Sequence, residues 1–231
     1  MGGFINKTIN RAFGTGAINF IIAHLIKCSE QMKENCAATD NLLKNDEDAI
    51  TNRLVAVHLN EKTSIFRYEP QSSEHYDIKT DHYIGRTDIK VISRDYFRDK
   101  NAYHIIECKR IDGTVALNKD YITEGVERFL SPASQPKYSS CYLENIMFGY
   151  VVKSINIPAN ADKIDGLQNT LLKTTKASPF ILQQNGDSQY YVYICKYTSD
   201  VIRIIKLSHL FFDFSGIVDV PRHDKIEAND T

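Results

Sequence analysis

Two short segments carry the residues best suited to chemistry: Gly85-Arg86-Thr87-Asp88 and Ile105-Ile106-Glu107-Cys108-Lys109. Both read as β-strands, joined by a stretch short enough for an antiparallel hairpin. Alternate side chains of a strand share a face. Glu107 and Lys109 therefore point one way and Cys108 the other. If the two strands pair, Asp88 stands beside Glu107. Two carboxylates and one ammonium then meet at one edge of a sheet. Two carboxylates suit a hard divalent cation, and magnesium keeps waters for its substrate side. Such an ion polarises a phosphodiester and lowers the pKa of a bound water. An ammonium beside it holds the attacking water and stabilises charge growing on phosphorus. Asp88 and Glu107 read as metal ligands, and Lys109 as the residue that positions the nucleophile.

The competing reading is ordinary. A Glu-x-Lys triplet on a strand is commonly a solvated face or a cross-strand ion pair. Context favours the metal site. The triplet follows an apolar run that belongs in a core sheet, where charge is rarely placed without a partner or a metal. Asp88 precedes it on the neighbouring strand. A helix opening Asp46-Glu47-Asp48 comes first, with Asn45 placed to cap it.

Asp88 with Glu107-Cys108-Lys109, in the order acidic helix, Asp strand, E-x-K strand, helix, resembles the PD-(D/E)XK nucleases. The resemblance covers roughly residues 45–152. Thr87 stands where proline is frequent in that superfamily. The resemblance implies a restriction-endonuclease-like fold and a magnesium-dependent phosphodiester hydrolase, with manganese as a substitute and DNA as the expected nucleic-acid substrate. It adds an acid from the first core helix to the metal site, and Glu47 is the choice here. It also points to the helix after the E-x-K strand for phosphate contacts. On that helix Tyr121, Glu124 and Arg128 share one face at α-helical spacing. Tyr121 and Arg128 are candidate nucleic-acid contacts, against an intrahelical Glu124–Arg128 pair. Arg86 and Lys90 flank Asp88 at even spacing and so share its face. Arg86 is a further candidate contact, against a surface ion pair. Lys137 with Tyr138 and Tyr142 reads first as scattered surface charge. Assembly as a homodimer or larger complex fits such chains. Two other readings stand beside the nuclease: a module of the same fold that binds nucleic acid or protein without cleaving, and an interaction protein built on the first helix.

The elements that must position these residues follow from periodicity. Ile18, Ile21, Ile22, Leu25 and Ile26 form one stripe of a helix over about Ala17–Asn35. A second helix is expected from near Asn45 to Asn60. Strands are expected at Ser64–Tyr68, Tyr83–Ser93, Ala102–Arg110, Asn145–Val152, Gln189–Tyr197 and Val201–Leu207, with a polar loop over Ser72–Asp81 and a charged turn over Arg94–Asn101. Helices are expected at Leu117–Leu130, ended by Pro132 and Pro136, and at Ala161–Thr175. The aromatic run Leu210–Phe214 reads as core or a dimer surface. The order predicts an α/β/α sandwich around a central mixed sheet. Residues 1–44 form an N-terminal helical extension, 45–220 the core domain and 221–231 a polar tail.

Composition narrows the classes. The chain has 231 residues, 42% hydrophobic and 25% charged, with formal net charge -1. A disordered chain is excluded, and any polyanion must meet local rather than global positive charge. Five cysteines without C-x-x-C spacing argue against a zinc knuckle or disulfide framework and fit a cytoplasmic protein. No leader pattern and no span long enough for a bilayer are expected, so no membrane partner is either. P-loop, zincin and nucleophile-elbow motifs are absent.

Overall fold

A computed structural model describes residues 7–60, 65–93, 99–130, 137–172, 175–199 and 204–219. The apolar stripe of the first helix becomes a wall of the core. This helix, α1 (Lys7–Thr39), buries Ile18, Ile21, Ile22, Leu25 and Ile26, and continues with Cys28, Met32 and Cys36. These residues share one cluster with the sheet. Residues 18–36 of the expected extension are therefore a layer of the sandwich. The two-residue strand β1 (Leu43–Lys44) follows. Next comes α2 (Glu47–Arg53), capped by Asp46, whose carboxylate accepts from Ala49 N at 2.8 Å, and prolonged as a π-type turn over Leu54–Leu59.

The region expected as loop and single strand contains three strands. β2 (Arg67–Pro70) leads to a separate hairpin of β3 (Ser73–Asp77) and β4 (His82–Arg86). The chain then turns at Thr87 and Asp88 into β5 (Ile89–Ile92). Thr87 fixes that corner: its N–H and hydroxyl both donate to the Ser72 carbonyl, at 2.9 and 3.3 Å. Apolar alternation does not disclose the hairpin because most of its side chains are exposed. Its turn rests instead on Asp77, whose carboxylate accepts from Lys79 N at 2.9 Å and the Thr80 hydroxyl at 3.0 Å.

β6 (Tyr103–Ile111) pairs antiparallel with β5 and parallel with β7 (Glu144–Val151). The crossover between β6 and β7 carries α3 (Val115–Tyr121), a π-type turn over Ile122–Val126 and a last turn, α4 (Glu127–Phe129). α5 (Ile157–Leu171) follows, then β8 (Thr175–Ala177), β9 (Ile181–Gly186), β10 (Tyr190–Ser199), β11 (Ile204–Asp213) and β12 (Val218–Asp219). The sheet order is β2-β5-β6-β7-β11-β10-β8, with β9 also on β10, and β1 pairs separately with β12. The sheet is mixed: β6, β7 and β11 are parallel, and the outer pairs antiparallel.

Alternation along the central strands feeds two cores. Ile106, Cys108, Phe148, Tyr150, Leu210 and Phe212 face α1 and α2. Ile105, Ile111, Met147, Leu207 and Phe211 face α3 and α5. The architecture is α/β, a mixed sheet with helices on both faces. The run Leu210–Phe214 is core, since its four apolar residues are buried. Residues 94–98 of the expected turn, Pro132 and Pro136, Ser64, Val201 and the tail 221–231 lie outside the described residues. Among the described residues no helix is long and apolar enough to cross a membrane.

Candidate active site

β5 is too short to cover β6. It pairs with residues 103–106 and stops, because the chain has turned at Asp88. Among the described residues no strand lies beside that flank of β6 from Glu107 onward, although β6 lies inside the sheet rather than at the edge expected from sequence. Alternate N–H groups of a strand point to the same neighbour. Those of Cys108 and Arg110 point to the uncovered flank, and carboxylates take the place of the missing carbonyls. Asp88 Oδ2 accepts from Cys108 N at 2.7 Å, and Glu47 Oε2 from Arg110 N at 3.2 Å.

The other oxygens of this acidic group converge on Lys109. Its ammonium lies 2.8 Å from Glu47 Oε1, 3.3 Å from Glu107 Oε1 and 4.0 Å from Asp88 Oδ2. The three consecutive acids of α2 thus divide their work. Asp46 caps the helix, Glu47 enters the group, and Asp48 pairs with exposed Arg86 at 3.5 Å. Cys108 faces the opposite core, where its sulfur accepts from the Tyr150 hydroxyl at 3.0 Å.

Glu107 has no exposed side-chain surface. Its Oε2 accepts from the Tyr138 hydroxyl at 2.5 Å, and Arg128 Nη1 lies 2.9 Å from Oε1. Neither Arg128 nor Lys109 is aligned for a hydrogen bond to Oε1, so charge alone holds that buried oxygen. Burial, joined by the charge of Asp88, pushes the Glu107 carboxyl up to about 8 against the pull of Lys109 and Arg128. Burial also raises Glu47, opposed by Lys109. Burial alone would lower the pKa of Lys109, but Glu107, Asp88 and Glu47 outweigh it and keep the ammonium charged.

The raised carboxyl sets an expected pH response. The ordinary value is 4.5 and the folded value about 8. Between them the folded chain keeps a proton that the unfolded chain has lost. The stability from this group is complete below 4.5 and is lost as pH rises through the folded value. The metal-free protein should therefore melt progressively earlier across that window, and Glu107→Gln should flatten the decline. Melting curves of both proteins across the window check this, and parallel slopes would place the ionisation elsewhere.

The fold brings Glu47, Asp88, Glu107, Lys109 and Arg128 together, but not Tyr121, which spacing places on one face with Arg128. Tyr121 is fully buried in the core beneath α3 and α5, its hydroxyl 2.9 Å from His209 Nδ1 and its ring stacked on Phe211. The π-type turn supplies the reason. Seven residues of α-helix return a side chain to the same face, but the wider turn over Ile122–Val126 breaks that phase. Arg128 consequently reaches Glu107 while Tyr121 points away. Arg86 lies at the end of β4, beyond the Thr87 corner, and is exposed. Tyr138 is the participant that spacing did not single out for Glu107. It arrives from an irregular connection, where no periodicity marks a face.

Among the described residues no three acidic, histidine or cysteine side chains are placed to hold a metal ion together. The Lys109 ammonium sits where the three carboxylates converge. The donor set nevertheless fits a hard divalent cation in kind, being entirely carboxylate oxygen, with Glu107 Oε1 buried and without a hydrogen bond. No protein-family model, curated protein or solved structure matches the chain.

Proposed function

We propose that this chain is a metal-dependent nuclease of the PD-(D/E)XK, restriction-endonuclease-like class, acting on DNA. The observation that carries the reading is the convergence of Glu47, Asp88 and Glu107 on the Lys109 ammonium, over the stretch of β6 that β5 leaves uncovered. The order of acidic helix, Asp corner, E-x-K strand and crossover helix supports it. Glu47, Asp88 and Glu107 would hold magnesium or manganese, which supplies Lewis acidity toward a phosphodiester and a more acidic bound water. Lys109, kept protonated by its neighbours, donates to the attacking water and to charge growing on phosphorus. Arg128 offers a second cation on the same side.

A second reading has its own support. Lys109 and Arg128 already neutralise much of the acidic group, as they would in a module of this architecture that binds without cleaving. Digestion of plasmid and single-stranded DNA with each ion separates the two. Magnesium or manganese should support cleavage, calcium should not, and chelation should stop it. Calcium prefers more ligands and activates water less. Cleavage that survives complete chelation overturns the metal mechanism. Absence of cleavage with every ion leaves the binding module.

A further inference from the structure

A cleft of about 360 Å³ opens directly beside the acidic group, between β4 and the connection that leads into β7. Its lining includes Arg86, Arg128 and Lys137, together with Tyr83 and Tyr138, and among the described residues it contains no carboxylate. Two of these residues also form the wall it shares with the acids: Arg128 and Tyr138 both touch Glu107. An occupant of the cleft therefore lies next to Glu107.

The walls are fixed. A side chain at Gly85 would begin only 2.1 Å from the Lys137 carbonyl oxygen, so the hairpin presses on the connection where glycine alone fits. Directly opposite Gly85 in the pairing, buried Glu74 joins the same two parts. It accepts from the Tyr103 hydroxyl at 2.5 Å and from Ser139 N at 3.0 Å, with Lys90 at 3.8 Å. The tyrosine on the far side is exposed by contrast. Tyr83 is 59% exposed and packs edge-on against Tyr76.

We infer that this cleft takes one phosphate and its unpaired base from a single-stranded nucleic acid, with the phosphate between Arg86, Lys137 and Arg128 and the base stacked on Tyr83. The inference rests on the nuclease reading for its place beside the acids, but not for its own chemistry. A lining that carries three cationic side chains favours an anion, and guanidinium groups suit phosphate. The pairing of Arg86 with Asp48 is long and exposed, of a kind that contributes little, so a phosphate can displace it. An aromatic face beside a cationic floor is the pattern of single-strand binding, because every base has a face to stack. A base paired inside a duplex is not available to Tyr83 while its phosphate sits on the floor of so small a cleft.

The test is fluorescence anisotropy in chelator, so that no turnover occurs. The probes are labelled oligothymidylate, labelled oligouridylate and the matching thymidylate–adenylate duplex. At least one single strand should bind ten times or more tighter than the duplex. Tyr83→Ala should weaken that binding about tenfold, the range of a lost base stack, and Lys137→Ala should weaken it and lower its salt dependence. Tyr83 is largely exposed, so its removal leaves the core intact, and a thermal melt of each variant verifies this. Equal affinity for single strand and duplex, no binding of any probe, or an unchanged affinity in folded Tyr83→Ala overturns the inference. Without metal or turnover, the outcome is separate from that of the nuclease reading. A protein that cleaves but prefers duplex loses only the cleft, and one that binds single strands without cleaving loses only the chemistry.

Discussion

Lys109→Ala should lose a hundredfold or more in single-turnover cleavage while retaining its affinity for magnesium. Lysine is no ligand while protonated, and its surroundings hold the proton firmly: burial opposes the charge, but the three carboxylates outweigh it. Removing one electrostatic contact to a developing charge costs on the order of a hundredfold in rate. The same ammonium is the shared counter-ion of Glu47, Glu107 and Asp88 at 2.8, 3.3 and 4.0 Å. Its loss should also destabilise the metal-free fold, by roughly 3–5 kcal/mol if it behaves as a broken buried pair. The destabilisation should grow as pH rises through the ionisation of Glu107, and saturating magnesium should restore much of it by supplying positive charge to the same oxygens. Thermal melts with and without magnesium, beside the cleavage assay, read all of this. A folded Lys109→Ala that cleaves at the parental rate would make Lys109 a counter-ion and nothing more.

Asp88 separates charge from structure through two substitutions. Asp88→Asn keeps a carbonyl oxygen able to accept from Cys108 N, so its melting point should stay near the parent's. It lacks the anion, so its heat of magnesium binding and its cleavage should both collapse. Asp88→Ala should lose these and also leave a β6 amide buried without a partner, costing a further 1–3 kcal/mol, roughly. Calorimetry and melting curves distinguish the pair. Parental magnesium binding by Asp88→Asn would reduce Asp88 to the role of capping the ladder.

Much of this site was legible in the residue order because it depends on short-range geometry. Alternation put Glu107 and Lys109 on one face and Cys108 on the other, and the antiparallel register put Asp88 beside them. Glu47 follows from the resemblance alone, which adds an acid from the first core helix; only the structure gives its neighbours other uses, with Asp46 rather than Asn45 as cap and Asp48 toward Arg86. What stayed hidden depends on departures from regular periods or on distant segments. The π-type turn after Tyr121 re-aims Arg128, and a constant helical period cannot show it. Strands β3 and β4 pair mostly exposed residues, so no apolar alternation marks them. Strand β9 is similar: it is largely exposed, and its link to β10 turns through Asp187 and Ser188 at φ of 40° and 65°. Tyr138 reaches Glu107 across 31 positions of chain from an irregular segment, a contact that only the folded topology creates.

The uncovered flank of β6 also bears on how the site would drift under mutation. Asp88 and Glu47 each hold a backbone amide that would otherwise be orphaned, so selection for folding guards them even in a lineage that has abandoned cleavage. Among the described residues no backbone amide is capped by Glu107, and its charge is disfavoured where it lies. A descendant released from catalysis should therefore record its history first at position 107, by an amide or apolar replacement, while the two capping acids persist as relics beside it.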